Sequence, residues 1–268
     1  DFEMSFVAPE DIRRFVEGSY KHIYKSVLRI DLPHFPILAY REAMDRFGSD
    51  KPDIRFGLEL CDITEEAHAS DFSIFKAAER VKCINPPKVF SRNEFDDFIA
   101  FCQSLGAKGM SWARVTKDGL DSSITKYFPP DVQKRILAKT KATEGTSLLF
   151  IADKAKTANE VLGKLRLKIA ENLGIIPQST FQFVWINAVP LFAHNADEDR
   201  WEPENHMFSM PKKEYVPDFE KRPGDVIGDL WDITMNGLEL GSGSIRVTDP
   251  TLQERIMNFI GINHAEAQ

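Results

Sequence analysis

Asn236-Gly237 constrains the fold of this 268-residue chain more than any other pair of residues. Asn-Gly between two apolar runs is the strongest short-range signal for a two-residue β-hairpin turn. The flanking residues read WDITM before it and LELGSGSIRV after it, spanning 231–247. A turn of that kind sets a register. Met235 should face Leu238, Thr234 should face Glu239, Ile233 should face Leu240 and Asp232 should face Gly241. Asp232 and Glu239 then share one face as diagonal neighbours, roughly 7–8 Å apart at the backbone. Carboxylates of that reach converge on one hard cation. They also sit comfortably on a solvated sheet face, and on the hairpin alone that is the plainer reading.

Arg246 conflicts with the simple hairpin. It follows Glu239 by seven residues, so strict alternation puts the two on opposite faces. A bulge within Gly241–Gly243 would add one residue and bring both to one face. Glycine also lets a flat ligand approach the backbone. An arginine held there is suited to gripping a carboxylate with two prongs. Without a bulge it simply leads out of the sheet to solvent.

The rest of the chain limits the choices. Hydrophobic residues make up 43% and charged residues 28%, with a net charge of −7, which suits a globular protein and not a strongly basic nucleic-acid binder. The longest apolar runs, such as SLLFIA at 147–152, are too short to span a bilayer. The N-terminus has no basic and apolar leader, so no membrane association is expected. Cys61, Cys83 and Cys102 are widely spaced with no CxxC, which argues against a disulfide framework or a zinc site and for a reducing, cytoplasmic setting. Asp1 has no Met before it, DFEMSFV alternates like a strand under way, and GINHAEAQ continues no pattern. The chain therefore reads as a piece of a longer protein.

Apolar spacing predicts a strand over 1–7, a helix from Pro9 to about Leu28 and a short helix over Tyr40–Phe47 stopped by Gly48. From about 71 to 176 strands alternate with helices. They include a helix capped by Asn93, a helix in PPDVQKRILAKT, a buried strand in TSLLFIAD and a helix ending at Gly174. Long strands return from Phe181. A last helix has Asp249 as its cap, Pro250 at its first position and Gly261 as its stop. The expected fold is α+β: an antiparallel domain in two parts, 1–70 and 177–268, interrupted by an α+β insertion at 71–176.

Familiar catalytic signatures are missing. No GxGxxG, GxxxxGK[ST], GxSxG or HExxH occurs. GAKGM at 106–110 reads as a turn. KLRLK at 164–168 has helical spacing and reads as a solvated face more than an RNA patch. His206, alone in ENHMFSMP, belongs to a type of residue that is more often structural than catalytic.

The combination nevertheless resembles one family. LWDITMNGLELGSGSIRVTDPTLQERIMNFIGI is similar to the late catalytic-domain hairpin and helix of bacterial-type aspartyl-tRNA synthetases. DFEMSFV resembles the end of class II motif 2. FPILAYREAMDRFGSDKPDIRFGLEL, FVWINAVPLF and RWEPENHMFSMPKKE resemble further blocks in the same order. Residues 71–176 stand where that family carries its GAD insertion domain. The resemblance implies a class II antiparallel catalytic sheet, ATP and L-aspartate as substrates, Mg²⁺ as cofactor, tRNA as partner and a homodimer. It implies that Asp1 receives the substrate's amino group and that Asp232 and Glu239 hold Mg²⁺ on the ATP phosphates. It implies that Arg246 clamps the aspartate side-chain carboxylate, and that Asn205 and His206 lie on a loop closing over the amino acid. Asn205 stands where the family has a second His, and Ala188 where it usually has Asp.

Motif 1, the motif 2 and motif 3 arginines and the anticodon-binding domain are not found in these residues. The resemblance thus implies an internal fragment, inactive alone, of a protein that activates aspartate and transfers it to tRNA. The alternative is a protein- or RNA-docking module built on 71–176. An asparagine or lysine enzyme of class II is a weaker option, because those lack the insertion.

Overall fold

The computed structural model describes residues 1–262. The last six residues of GINHAEAQ lie outside them. The chain divides into two compact units, residues 1–41 with those from Phe181 onward, and residues 42–180.

The first unit opens with α1 (Pro9–Ile23), which has Pro at its start, Glu10 and Asp11 in its first turn and Lys21 and His22 in its last, as the helix dipole favours. A wider helical turn continues it over Tyr24–Leu28, and Arg29 ends it in the left-handed conformation at φ 61°. The expected strand at 1–7 does not form. Phe2, Met4 and Phe6 are exposed, and no strand among the described residues pairs with that segment, so its alternation has no ladder to join. Strand β1 (Ile37–Ala39) leads straight into α2 (Tyr40–Phe47).

The second unit holds β2 (Cys61–Asp62), α3 (Thr64–His68), α4 (Ser73–Ala77), β3 (Arg80–Ile84), α5 (Arg92–Ser104), β4 (Ser111–Thr116), β5 (Gly119–Asp121), α6 (Pro130–Thr140), β6 (Ser147–Asp153) and α7 (Ala155–Leu173). The change of texture near 71 falls inside this unit, whose first strand and helix come from 42–70. Its sheet runs β2-β3-β6-β4-β5 and is antiparallel throughout. Central β6 is apolar from Leu148 to Ala152 because both faces are covered. Leu149 and Ile151 pack with α5 and α7, whereas Leu148 and Phe150 pack with Phe75, Val132 and Ile136 on the other side.

Two local readings of this unit change. Helix α5 starts two residues earlier than an Asn93 cap would allow. Ser91 caps it, accepting from the Glu94 N–H while the Glu94 carboxylate accepts from the Ser91 N–H, a reciprocal capping box. The KLRLK segment is not a solvated face either. Arg166 is 1% exposed. It donates to the carbonyls of Asp53, Phe56 and Gly57, and its guanidinium lies 4.0 Å from the centre of the Phe56 ring. Burial pushes its pKa down to about 10. The same helix meets the end of α2 through glycines. A Cβ on Gly163 would stand 2.6 Å from the Gly48 carbonyl oxygen, and Gly48 itself turns at φ +68°.

Back in the first unit come β7 (Phe183–Asn187), β8 (Phe192–Asn195), β9 (Arg200–Pro203), β10 (Leu230–Met235), β11 (Leu238–Ser244) and α8 (Pro250–Phe259). Asp249 caps α8, accepting from the Thr251 N–H at 2.9 Å, and Gly261 turns at φ +81° just beyond it. The main sheet is ordered β1-β7-β10-β11, with β1 parallel to β7 and the other pairs antiparallel. One face is packed by Phe183, Trp185, Trp231 and Ile233 against Phe35 and the apolar side of α1. The Phe35 and Phe183 rings stack at 4.4 Å. The other face carries Thr234 and Asp232. Among the described residues no helix is long and apolar enough to cross a membrane.

Candidate active-site cleft

The hairpin tip forms as the Asn-Gly pair dictates. Asn236 and Gly237 both adopt positive φ, 55° and 86°, as the favoured two-residue hairpin turn requires. Asn236 is also tied down from outside, its side-chain oxygen accepting from the Gln182 N–H at 3.0 Å.

Met235 pairs with Leu238 and Thr234 with Glu239, as expected. The register then slips. Ile233 pairs with Gly241 rather than Leu240, and Asp232 with Ser242 rather than Gly241. The extra residue is Leu240, so the bulge lies just before the glycines and not within them. Leu240 packs with the sheet's aromatic core, next to Ile233 and Trp231. Two residues, Leu240 and Gly241, thus oppose Ile233 alone. Gly241 and Gly243 turn toward Ile233 and Trp231. A Cβ on Gly243 would come within 3.0 Å of the Trp231 indole nitrogen. The small size of Gly243 makes room for the Trp231 ring, whereas a Cβ on Gly241 would only make an ordinary 3.7 Å contact with Ile233.

The slip reverses the face of everything after Leu240. Ser242 lies opposite Asp232 and Ser244 opposite Leu230, so Arg246, two residues on, shares their face. Backbone bonds hold a second segment against it. Met210 N–H donates to Ile245 O at 2.8 Å and Val247 N–H to Phe208 O at 2.9 Å, with Ser209 bridged to Arg246. This brings Asn205, His206 and Ser209 beside Asp232, Ser242 and Arg246, and those residues with Leu230, Gly243 and Ser244 line one open cleft.

Four of the residues named from the sequence therefore meet: Asp232, Arg246, Asn205 and His206. Gly243 contributes backbone. Glu239 lies on the same face nearer the turn and is not part of the cleft lining, and Asp1 is exposed and outside it. Ala188 takes a left-handed φ of 53° directly after β7, a conformation that Asp and Asn adopt more readily than Ala.

The cleft also contains residues not anticipated. The Phe208 ring stacks on the His206 imidazole at 4.9 Å, and the Arg246 guanidinium lies 4.4 Å from the centre of the Phe208 ring. Ser244 Oγ accepts from Arg246 at 2.9 Å. Ser209 is 1% exposed, and its hydroxyl has no hydrogen-bond partner among the described residues. Ser242 and Ser244 alternate with glycine in the sequence, so period two would have found them once the bulge was placed. Phe208 and Ser209 were signalled only by closeness to His206.

Chemically, one cation, one carboxylate and several serine residues line one open cleft. No group of three or more His, Cys, Asp or Glu suited to a metal ion occurs among the described residues. Asp232 and Glu239 together offer two hard oxygen donors on one face. That fits Mg²⁺, which is bound by one or two carboxylates with phosphate and water completing its shell.

The family described as tRNA synthetases class II (D, K and N) matches residues 1–268. An aspartate–tRNA(Asp/Asn) ligase of Treponema denticola is 37% identical over 278 residues, covering 100% of this chain and 47% of the relative. An aspartate–tRNA ligase of Bacillus licheniformis is 38% identical over 277 residues with the same coverage. An aspartate–tRNA(Asp/Asn) ligase of Anoxybacillus flavithermus is 38% identical over 276 residues. The chain spans about half the length of these curated relatives.

Proposed function

Because the chain belongs to the class II tRNA synthetases of the D, K and N type, we propose that the protein carrying it is an aspartate–tRNA ligase. It activates L-aspartate with ATP and passes the aspartyl group to tRNA. The observation that carries this reading is the bulge at Leu240, which delivers Arg246 into one cleft with Asp232 and the Asn205-His206 loop.

Arg246 clamps the substrate's side-chain carboxylate. It is held for the task by Phe208 beneath and Ser244 beside it. An amide side chain in place of the carboxylate would leave the guanidinium unpaired, at a cost of about 2–5 kcal/mol. Asn205 and His206 close over the amino acid, and Asp1 receives its amino group. Asp232 and Glu239 would hold Mg²⁺, which when bound would supply positive charge against the ATP phosphates. The aspartate α-carboxylate attacks the α-phosphorus, pyrophosphate leaves, and the terminal ribose hydroxyl of tRNA takes the aspartyl group. No protein nucleophile is needed, so the protein's part is positioning and charge. The setting is cytoplasmic and the working form a homodimer, with residues 71–176 as the insertion domain.

Aspartate-dependent exchange of pyrophosphate into ATP tests the reading. The protein that carries the chain should show it, and Arg246→Ala should abolish it. The 268 residues alone should show none. Exchange that prefers asparagine or lysine, or that survives Arg246→Ala, would overturn the assignment. Absence of exchange in any longer protein would favour the docking module.

A further inference from the structure

Cys61 and Cys83 are direct partners across β2 and β3. Nothing in their spacing along the sequence marks them as a pair. Directly opposed residues of antiparallel strands stand about 4.5–5.5 Å apart at Cα, and disulfides span about 4.4–6.8 Å. Opposed side chains also leave the same face of the sheet, so the two sulfurs point the same way.

The two thiols differ in access. Strand β2 is the edge of its sheet, and Cys61 is half-buried there, while Cys83 is fully buried. The Cys61 thiol donates to the Lys139 carbonyl at 3.7 Å. The Lys139 ammonium is itself paired with Glu66 at 2.9 Å. Hydrogen bonding from Cys83, and then the Lys139 charge, hold the Cys61 thiol below its ordinary pKa against the effect of burial. Its partnership with Cys61 and its burial push Cys83 well up. Cys102 lies in the other core cluster, and burial pushes its thiol up to about 12.

We propose that Cys61 and Cys83 form a reversible disulfide when the protein meets a peroxide, with Cys61 as the reacting thiol and Cys83 as the resolving one. The Cys61 thiolate attacks a peroxide oxygen. The O–O bond breaks, the sulfur becomes a sulfenic acid, and the departing hydroxide takes back the proton the thiol had released and leaves as water. The Cys83 thiol then attacks that sulfur, the S–O bond breaks, and a second water carries off the hydroxyl and the Cys83 proton. Two thiols lose two electrons and the peroxide gains them. The product fastens the two-residue edge strand β2 to β3, and reduction by a dithiol releases it. Transient redox-sensing disulfides of this kind suit a reducing compartment. The inference is independent of the activity proposed above.

Hydrogen peroxide treatment of the whole chain, alkylation of remaining thiols after denaturation and tryptic mass spectrometry test it. The expected product joins peptide 56–76 to peptide 83–88. Both cysteines should escape alkylation together, and dithiothreitol should restore them. Cys102→Ser should behave as wild type, and Cys61→Ser should leave Cys83 fully alkylated. Accumulation of Cys61 sulfinic acid with Cys83 still alkylated would overturn the proposal. So would a bond from Cys61 to Cys102 or to a second chain. Linkage that forms equally well in concentrated urea would overturn it too, since the strands no longer hold the pair there.

Discussion

The guanidinium of Arg246 lies 4.4 Å from the centre of the Phe208 ring, whose imidazole neighbour is His206. An arginine is flexible, and a ring beneath it restricts where its fork points. Phe208→Leu keeps an apolar side chain and removes the ring face. We expect the KM for L-aspartate in pyrophosphate exchange to rise about 2–30-fold, the range set by a cation–π contact of about 0.5–2 kcal/mol. The ATP KM should hold steady. An unchanged aspartate KM would mean the ring is idle.

Deleting Leu240 removes the extra residue opposite Ile233. Arg246 then keeps the face of Asp232, because Ile233 still pairs with Gly241 and Asp232 with Ser242 once the residue between Glu239 and Gly241 is gone. Aspartate-dependent exchange should survive the deletion, and its loss would contradict Leu240 as the bulged residue. Leu240→Ala keeps the count and should retain exchange, at a stability cost of about 2 kcal/mol or more for the lost packing. Circular dichroism and urea unfolding separate the two effects.

Gly163→Ala drives a methyl into the backbone of Gly48, 2.6 Å from its carbonyl oxygen. Backbone cannot swing aside as a side chain can. The substitution should destabilise the protein by about 1–3 kcal/mol, although Ala is the better helix former by about 1 kcal/mol. A urea midpoint equal to or above wild type would contradict the close contact.

Ala188→Gly should stabilise. The left-handed φ of 53° costs a residue with a Cβ about 1 kcal/mol. Ala188→Asp, a residue better suited to that region, should stabilise by less. Thermal unfolding of the two variants, ranked against wild type, checks the order.

Glu94 carries a pH signature. The Lys88 ammonium, the Ser91 N–H and the Ser91 hydroxyl hold its carboxylate down at about 2, below its unfolded value. A depressed carboxylate contributes stability that is fully present above its unfolded pKa and is lost as pH falls through the folded one. The melting temperature of wild type should therefore exceed that of Glu94→Gln at pH 6. The gap should close between about pH 5 and pH 2. A gap independent of pH would exclude the charge as its source.

How far the sequence reached differs from element to element. Turn chemistry made the hairpin tip legible, because Asn236-Gly237 can do little else. The register was legible only as far as Thr234 and Glu239. A bulge is settled by which residue finds room, and Leu240 found it in a core built by Trp231 and Ile233, which no local pattern describes. The alternation of 1–7 had no partner strand to realise it. Helical spacing showed which positions of α7 repeat, not that Arg166 would meet carbonyls from a distant loop. Cys61 and Cys83 became a pair only through the sheet. Of the cleft, Arg246, Asp232 and His206 were visible through family resemblance, whereas Phe208 and Ser209 needed the backbone bonds that bring their segment alongside β11.

Arg166 imposes an order in time. Its acceptors at 53, 56 and 57 precede it by 113, 110 and 109 residues. A ribosome adds about 5–20 residues each second, so the loop emerges and waits on the order of 5–20 s for the side chain that satisfies its carbonyls. During that interval water must serve them. The segment is then a place for chaperones to hold and proteases to cut, and its protection arrives only when α7 has cleared the exit tunnel.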